Sequence, residues 1–120
     1  MTTTVFLLLI LFGIKHFIAD FLLQFPYMLG QKGIYGAKGG IDHAALHAAF
    51  TLLVLIPFTQ DATTIIGLSF VDFAIHYHID FIKQQFSRGL TPEDKNFWLL
   101  LGADQALHYL TYIGIIYVVA

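Results

Sequence analysis

Four apolar stretches, each about as long as a bilayer is thick, leave this chain few folds to adopt. They run from about Thr3 to Phe25, Asp42 to Phe58, Ala62 to Phe86 and Asn96 to Ala120. A helix needs ~20 residues to cross ~30 Å of hydrocarbon. None of the stretches alternates polar and apolar as a barrel strand would. The expectation is an all-α fold: a bundle of four transmembrane helices, approximately 3–25, 42–58, 62–86 and 96–120, in a single integral membrane domain spanning 1–120. Composition closes off the other classes. The chain is 58% hydrophobic and only 12% charged, about half the charge of an ordinary soluble domain. Its 12 Phe and 6 Tyr exclude a polar disordered chain. The absence of Cys excludes a disulfide scaffold. Six basic residues against eight acidic ones give no footprint for nucleic acid.

The connectors carry turn chemistry. Pro26 to Gly40 holds glycines at positions 30, 33, 36, 39 and 40, a flexible loop or a lid. Pro57 to Thr64 reads as a tight turn. Ser87 to Lys95 holds Gly89 and Pro92, with Thr91 the expected N-cap of a short lead-in to the last helix. The N-terminus has neither the positive region nor the small-residue cleavage site of a signal peptide, so it is read as a retained first helix. Lys32 and Lys38 lie in the first connector, Arg88 and Lys95 in the third, and Lys83 at its edge. By the positive-inside rule those connectors are cytoplasmic and both termini outside, in a multi-pass membrane protein. Lys15 is the one basic residue well inside a span and is expected to snorkel or to pair with a carboxylate.

All six His and five of the eight acidic residues fall inside the apolar segments. The first carries His16 and Asp20, the second His43 and His47 with Asp42 just before them, the third Asp72, His76 and Asp80, and the fourth Asp104 and His108. A spacing of four puts two side chains on one helix face. With alternating helix direction, all four pairs also fall at one depth, in the cytoplasmic half. An unpaired charge in hydrocarbon costs ~2.5–3.5 kcal/mol on the insertion scale, and metal coordination removes that cost. The expected ligands are His16, Asp20, His43, His47, His76, Asp80, Asp104 and His108. Mixed His/Asp donors without Cys suit Zn²⁺, with Mn²⁺ or Fe²⁺ as alternatives, and eight donors suggest two ions. A di-iron bundle would use Glu and Glu-x-x-His, whereas Glu93 is the only Glu and lies in a connector.

Neighbouring residues have two readings each. Asp42 is either a general base or the N-cap of the second helix. Asp72, one turn deeper than His76, is either a general base or a carboxylate orienting His76. His78, about 200° round from His76, should face away. Gln24, Gln84 and Gln105 either touch substrate or are ordinary polar residues near helix ends. Trp98, Tyr27 and Tyr35 suit the cytoplasmic interface, and Tyr117 the outer one.

The segments His16-Phe-Ile-Ala-Asp-Phe-Leu-Leu-Gln24, Asp42-His-Ala-Ala-Leu-His47, His76-Tyr-His-Ile-Asp-Phe-Ile-Lys83 and Asp104-Gln-Ala-Leu-His108 resemble the domain-of-unknown-function family numbered 3307, small membrane proteins of bacteria and their phages. The resemblance covers nearly the whole chain and implies membrane location, with no established activity. The ligand pattern is more distantly similar to zinc-dependent phospholipase C and to membrane metal-dependent hydrolases, which would imply a zinc cluster; likeness of pattern alone does not carry function.

Four functions compete at this point. A di-metal hydrolase would act on a lipid or other amphiphilic phosphoester at the cytoplasmic interface, with Asp72 or Asp42 as base. A metal-binding or ion-translocating protein would show a polar trail through the membrane, yet the outer halves of the segments are nearly all apolar. A haem protein would place His residues on facing helices. A structural subunit would use metal only to staple its helices. The expected partners are membrane lipid and a larger membrane complex or further copies of the chain, with no nucleic acid.

Overall fold

A computed structural model describes residues 1–120 as helices joined by short turns, with no strand. Helix α1 spans Thr2–Phe17 and runs on through a wide π turn, Ile18–Leu22. A short helix α2 follows at Pro26–Gln31. The remaining helices are α3 at Lys38–Leu55, α4 at Ala62–Phe86 and α5 at Lys95–Val119. The long helices form a closed ring: α1 packs on α3 and α5, and α4 packs on α3 and α5. The molecule measures 45 × 28 × 21 Å, its long axis matching the ~40–45 Å of a bilayer with its headgroups.

Three segments are long and apolar enough to cross a membrane: Thr2–Leu22, Ala62–Phe86 and Lys95–Val119, with mean hydropathies of 2.1, 1.4 and 1.2. The second stretch of the sequence is the exception. Helix α3 starts at Lys38 rather than Asp42 and has 18 residues, and its first half carries Lys38, Asp42, His43 and His47. It can be polar because α1, α2 and α4 surround it. His43, His47, Ala44, Thr51 and Leu55 are all wholly buried.

The interior is inverted relative to that of a soluble protein. More of the 25 buried residues are polar or charged than apolar, while Phe6, Phe21, Ile66, Phe70, Leu110 and Tyr117 are all more than 60% exposed. Water-soluble monomers rarely expose contiguous apolar patches beyond a few hundred Å². The bundle is divided along its length. One half is closed by Leu8, Phe12, Leu55, Tyr112, Ile115 and Ile116; the other holds the His and Asp side chains.

Two connectors differ from the sequence reading. The glycine-rich segment is a packed helix and turn, not a flexible loop or lid. Pro26 begins α2, where its missing N–H does no harm. Gly39 and Gly40 then let α2 lie directly on the start of α3. A Cβ on Gly39 would sit 2.5 Å from the Tyr27 carbonyl oxygen and 2.8 Å from Gln31 Cβ. Gly39 N–H donates to Gln31 Oε1 at 2.7 Å. Gly36 closes the turn with φ of 82°, its N–H donating to the Tyr77 hydroxyl at 2.7 Å. In the third connector Thr91 is not a cap. Asp94 precedes α5, and its carboxylate turns back to accept from Thr91 N–H at 2.8 Å. Helix α4 is capped by Asp61, which accepts from Thr63 N–H at 3.1 Å; the Thr64 hydroxyl holds the Asp61 carboxyl below its ordinary range.

The close approach at Gly39 makes a prediction. Gly39→Ala must push α2 off α3, and overpacking of this kind costs ~1–3 kcal/mol. Gly114→Ala, in α5 with nothing within 4 Å of a new Cβ, should be neutral or slightly stabilising. Thermal unfolding in detergent checks the contrast, and equal midpoints for the two variants would contradict it.

Candidate metal centre

The π turn at the end of α1 sets the geometry of the site. Leu23 N–H reaches back five residues to the Ile18 carbonyl at 2.8 Å, and Asp20 sits inside that wider turn. Turns of this kind occur often at functional sites. Here it brings Asp20 against α3. Asp20 Oδ1 lies 2.9 Å from His47 Nε2 and 3.1 Å from His43 Nε2. From α4, His76 joins them. Asp20, His43, His47 and His76 each offer a ligand atom, and these four atoms lie within 4.8 Å of one another. A second group, His76, Asp80 and His108, meets the same measure and shares His76. Asp80 Oδ1 is 3.2 Å from His108 Nε2, and Asp80 Oδ2 is 3.2 Å from His76 Nε2. All six side chains are buried. The imidazoles of His47, His76 and His108 stack in a column, with centroids 3.7 and 4.0 Å apart. Rings this close leave no slot for a haem between them.

Hydrogen bonding separates donors free to take a metal from those already engaged. Neither ring nitrogen of His43 or His76 has a hydrogen-bond partner, although carboxylate oxygens stand 3.1–3.5 Å away. Near approach without hydrogen-bond alignment fits lone pairs converging on a common point. Each orphaned buried group costs ~1–3 kcal/mol. His16 is the opposite case. Gln105 donates to Asp104 Oδ2 at 3.0 Å, so its Oε1 accepts from His16 Nε2 at 2.7 Å, and the Tyr112 hydroxyl meets His16 Nδ1 at 2.8 Å. Both nitrogens of His16 are satisfied, and it borders the quartet 3.1 Å from Asp20 Oδ2. Asp104 borders the triad 3.3 Å from His108 Nε2, with its Oδ1 unpartnered. Six of the eight expected ligands therefore gather into two overlapping groups, and His16 and Asp104 flank them.

Lys15 pairs with a carboxylate and does not snorkel. Its ammonium has three acceptors: Asp72 Oδ2 at 2.9 Å, the His47 carbonyl at 3.1 Å and His47 Nδ1 at 3.2 Å. Asp72 also accepts from the Thr51 hydroxyl at 2.5 Å. Asp72 thus acts on His47 through Lys15, not on His76 as its spacing suggested. An ammonium donating to Nδ1 places the proton of a neutral His47 on Nε2, where Asp20 accepts it; a metal at Nε2 would replace that proton. Asp42 lies outside the cluster and is not a helix cap, since α3 begins at Lys38. Asp42 accepts from Lys38 at 2.5 Å and from the Tyr27 hydroxyl at 2.9 Å. Neither Asp72 nor Asp42 reaches the ligand atoms. His78 does face away, 2.9 Å from the Tyr35 hydroxyl. Gln24 donates to the Asp20 carbonyl at 2.6 Å, and Gln84 lies beside Gly33, apart from the donors.

Two contributors, Tyr112 and Lys32, escaped the sequence reading, and a third, Gln105, has a role that reading did not give it. Tyr112 extends the Asp104–His108 face by one more turn, a signal the same spacing contains. Gln105 ties His16 to Asp104, with nothing in its spacing to announce it. Lys32, expected in a cytoplasmic connector, is instead buried with Nζ 3.3 Å from Asp80 Oδ2. The far end of the bundle is closed by the apolar cluster around Leu8 and Ile115.

A family model described as a protein of unknown function, DUF3307, matches residues 6–120. No curated protein and no solved structure matches the chain.

Proposed function

The chain belongs to the DUF3307 family, and from that premise we propose that it is a membrane-embedded metal-dependent hydrolase whose substrate is a lipid or other amphiphilic phosphoester. The observation that carries this reading is the set of unpartnered ring nitrogens on His43 and His76, buried among Asp20, His47, Asp80 and His108. A divalent ion in the quartet would give one nitrogen of each ring a partner and would offset the carboxylate charge. Nitrogen and oxygen donors without sulfur favour Zn²⁺, with Mn²⁺ or Fe²⁺ as alternatives. When bound, such an ion would supply a water whose pKa is lowered to ~7. The triad, sharing His76, is the second cationic position, where a substrate oxygen would be polarised. Asp104, whose Oδ1 stands 3.3 Å from His108 Nε2 without an aligned hydrogen bond, lies closer to the donors than Asp72 or Asp42 and would serve as the base.

All four long helices cross the bilayer in this reading. Helix α3 is then the span whose polarity its neighbours conceal, and the positive-inside rule favours a cytoplasmic metal end with both termini outside. The site then lies near the headgroups of the inner leaflet, which favours a lipid-derived substrate. Burial of every donor also suits a metal that only staples the helices.

One assay separates the two uses. Purified protein reconstituted with Zn²⁺ is offered phospholipid in mixed micelles and, separately, a soluble aryl phosphodiester. Release of a phosphorylated or dephosphorylated product that stops with a chelator and returns with Zn²⁺ supports hydrolysis. Bound metal with no turnover assigns the ion a stapling role, and a protein that retains no metal overturns the proposal.

A further inference from the structure

We infer that Lys32 is the second cation of this centre, its ammonium standing at the His76–Asp80–His108 triad where a second metal ion would otherwise bind. The inference rests on the metal-binding reading above and fixes its stoichiometry. Lys32 is 8% exposed, and its Nζ lies 3.3 Å from Asp80 Oδ2. That oxygen also stands 3.2 Å from His76 Nε2 of the triad and 3.5 Å from His43 Nε2 of the quartet, while the other carboxylate oxygen, Oδ1, meets His108 Nε2 at 3.2 Å. An ion ligated by Asp80 would sit ~2.0–2.2 Å from the carboxylate oxygen. Bound through Oδ2, it would lie within about 5.5 Å of the ammonium, and two cations at that range in a low-dielectric interior repel strongly.

The placement is built into the chain. Lys32 follows directly on α2, and α2 is held to α3 by the absence of side chains at Gly39 and Gly40. A Cβ at Gly40 would come 3.5 Å from Lys32 Cα and 3.3 Å from Tyr77 Cε2. The close packing therefore delivers a lysine to the triad and leaves it little freedom to withdraw.

Charge balance points the same way. Asp20, Asp80 and Asp104 bring three negative charges and Lys32 one positive charge, while Lys15 and Asp72 cancel each other. With neutral histidines, one divalent ion makes the buried group neutral. A second would leave it two charges positive, a state that hydrocarbon disfavours. The two ions suggested by eight donors thus become one ion and one ammonium.

Elemental analysis of zinc-saturated protein, after removal of loosely held metal, tests this directly. The wild type should hold one zinc per chain. Lys32→Met and Lys32→Gln should each hold two, because the triad is freed, and Lys32→Arg should remain at one because the charge is kept. Two zinc ions in the wild type, or one in a helical Lys32→Met or Lys32→Gln protein, would overturn the inference while leaving metal binding intact. No zinc in any of them would instead remove the metal-binding reading itself. If both neutral variants lose their helical signal, the wild-type count decides alone, one supporting and two refuting.

Discussion

Replacing His76 with alanine is expected to strip the protein of metal, whereas replacing His78, two residues away, changes nothing. His76 belongs to both donor groups, so its loss leaves the quartet three donors and the triad two. Losing a mere supporting partner of a ligand typically costs ~10–100-fold in affinity, and losing the shared ligand should cost more. His78 is bonded outward, to Tyr35 and to the Ala74 carbonyl. Both substitutions remove one imidazole from the same helix, so the pair cancels any general effect on α4. Zinc content after desalting, measured beside helical circular dichroism, reads the difference. A folded His76→Ala protein that keeps its zinc would refute the assignment of His76, as would a His78→Ala protein that loses it.

The second large effect belongs to Lys15. Replacing it with methionine should destabilise the bundle by ~3–5 kcal/mol, the usual consequence of removing one partner of a buried ion pair. Lys15 and Asp72 are 2% and 1% exposed, so the abandoned carboxylate would keep only the Thr51 hydroxyl. Asp72→Leu should be similarly harmful, since it strands the ammonium. The double variant Lys15→Met, Asp72→Leu should recover most of the loss, because apolar replacements of buried pairs are often neutral. Unfolding in detergent gives the coupling between the two positions. Losses that simply add would show that the two groups do not stabilise each other.

The sequence made part of this centre legible and concealed the rest for identifiable reasons. His43, His47, His76, Asp80 and His108 announced themselves because helices repeat every 3.6 residues and the chain returns to the same depth four times. Tyr112 obeys the same spacing and is found by extending it. Asp72 obeys it too, yet its partner Lys15 comes from another helix, and spacing within a helix says nothing about what stands opposite. Lys32 was hidden because glycine usually marks loops. At Gly39 and Gly40 it serves instead to let two helices touch, overriding its poor helix propensity of ~1 kcal/mol per residue. The wide turn around Asp20 has no residue signature that would have disclosed it. Helix α3 fails the hydropathy criterion met by the other long helices because hydropathy scores a residue's polarity and not the side of the helix it occupies.

On the metal-binding reading, histidines from different helices hold one ion. X-ray absorption at the zinc edge of the reconstituted protein tests it most directly. A shell of nitrogen and oxygen at ~2.0–2.1 Å, with the outer scattering of several imidazoles that weakens in His43→Ala, is expected. A shell of oxygen alone without imidazole scattering, or zinc that washes off on desalting, would contradict it.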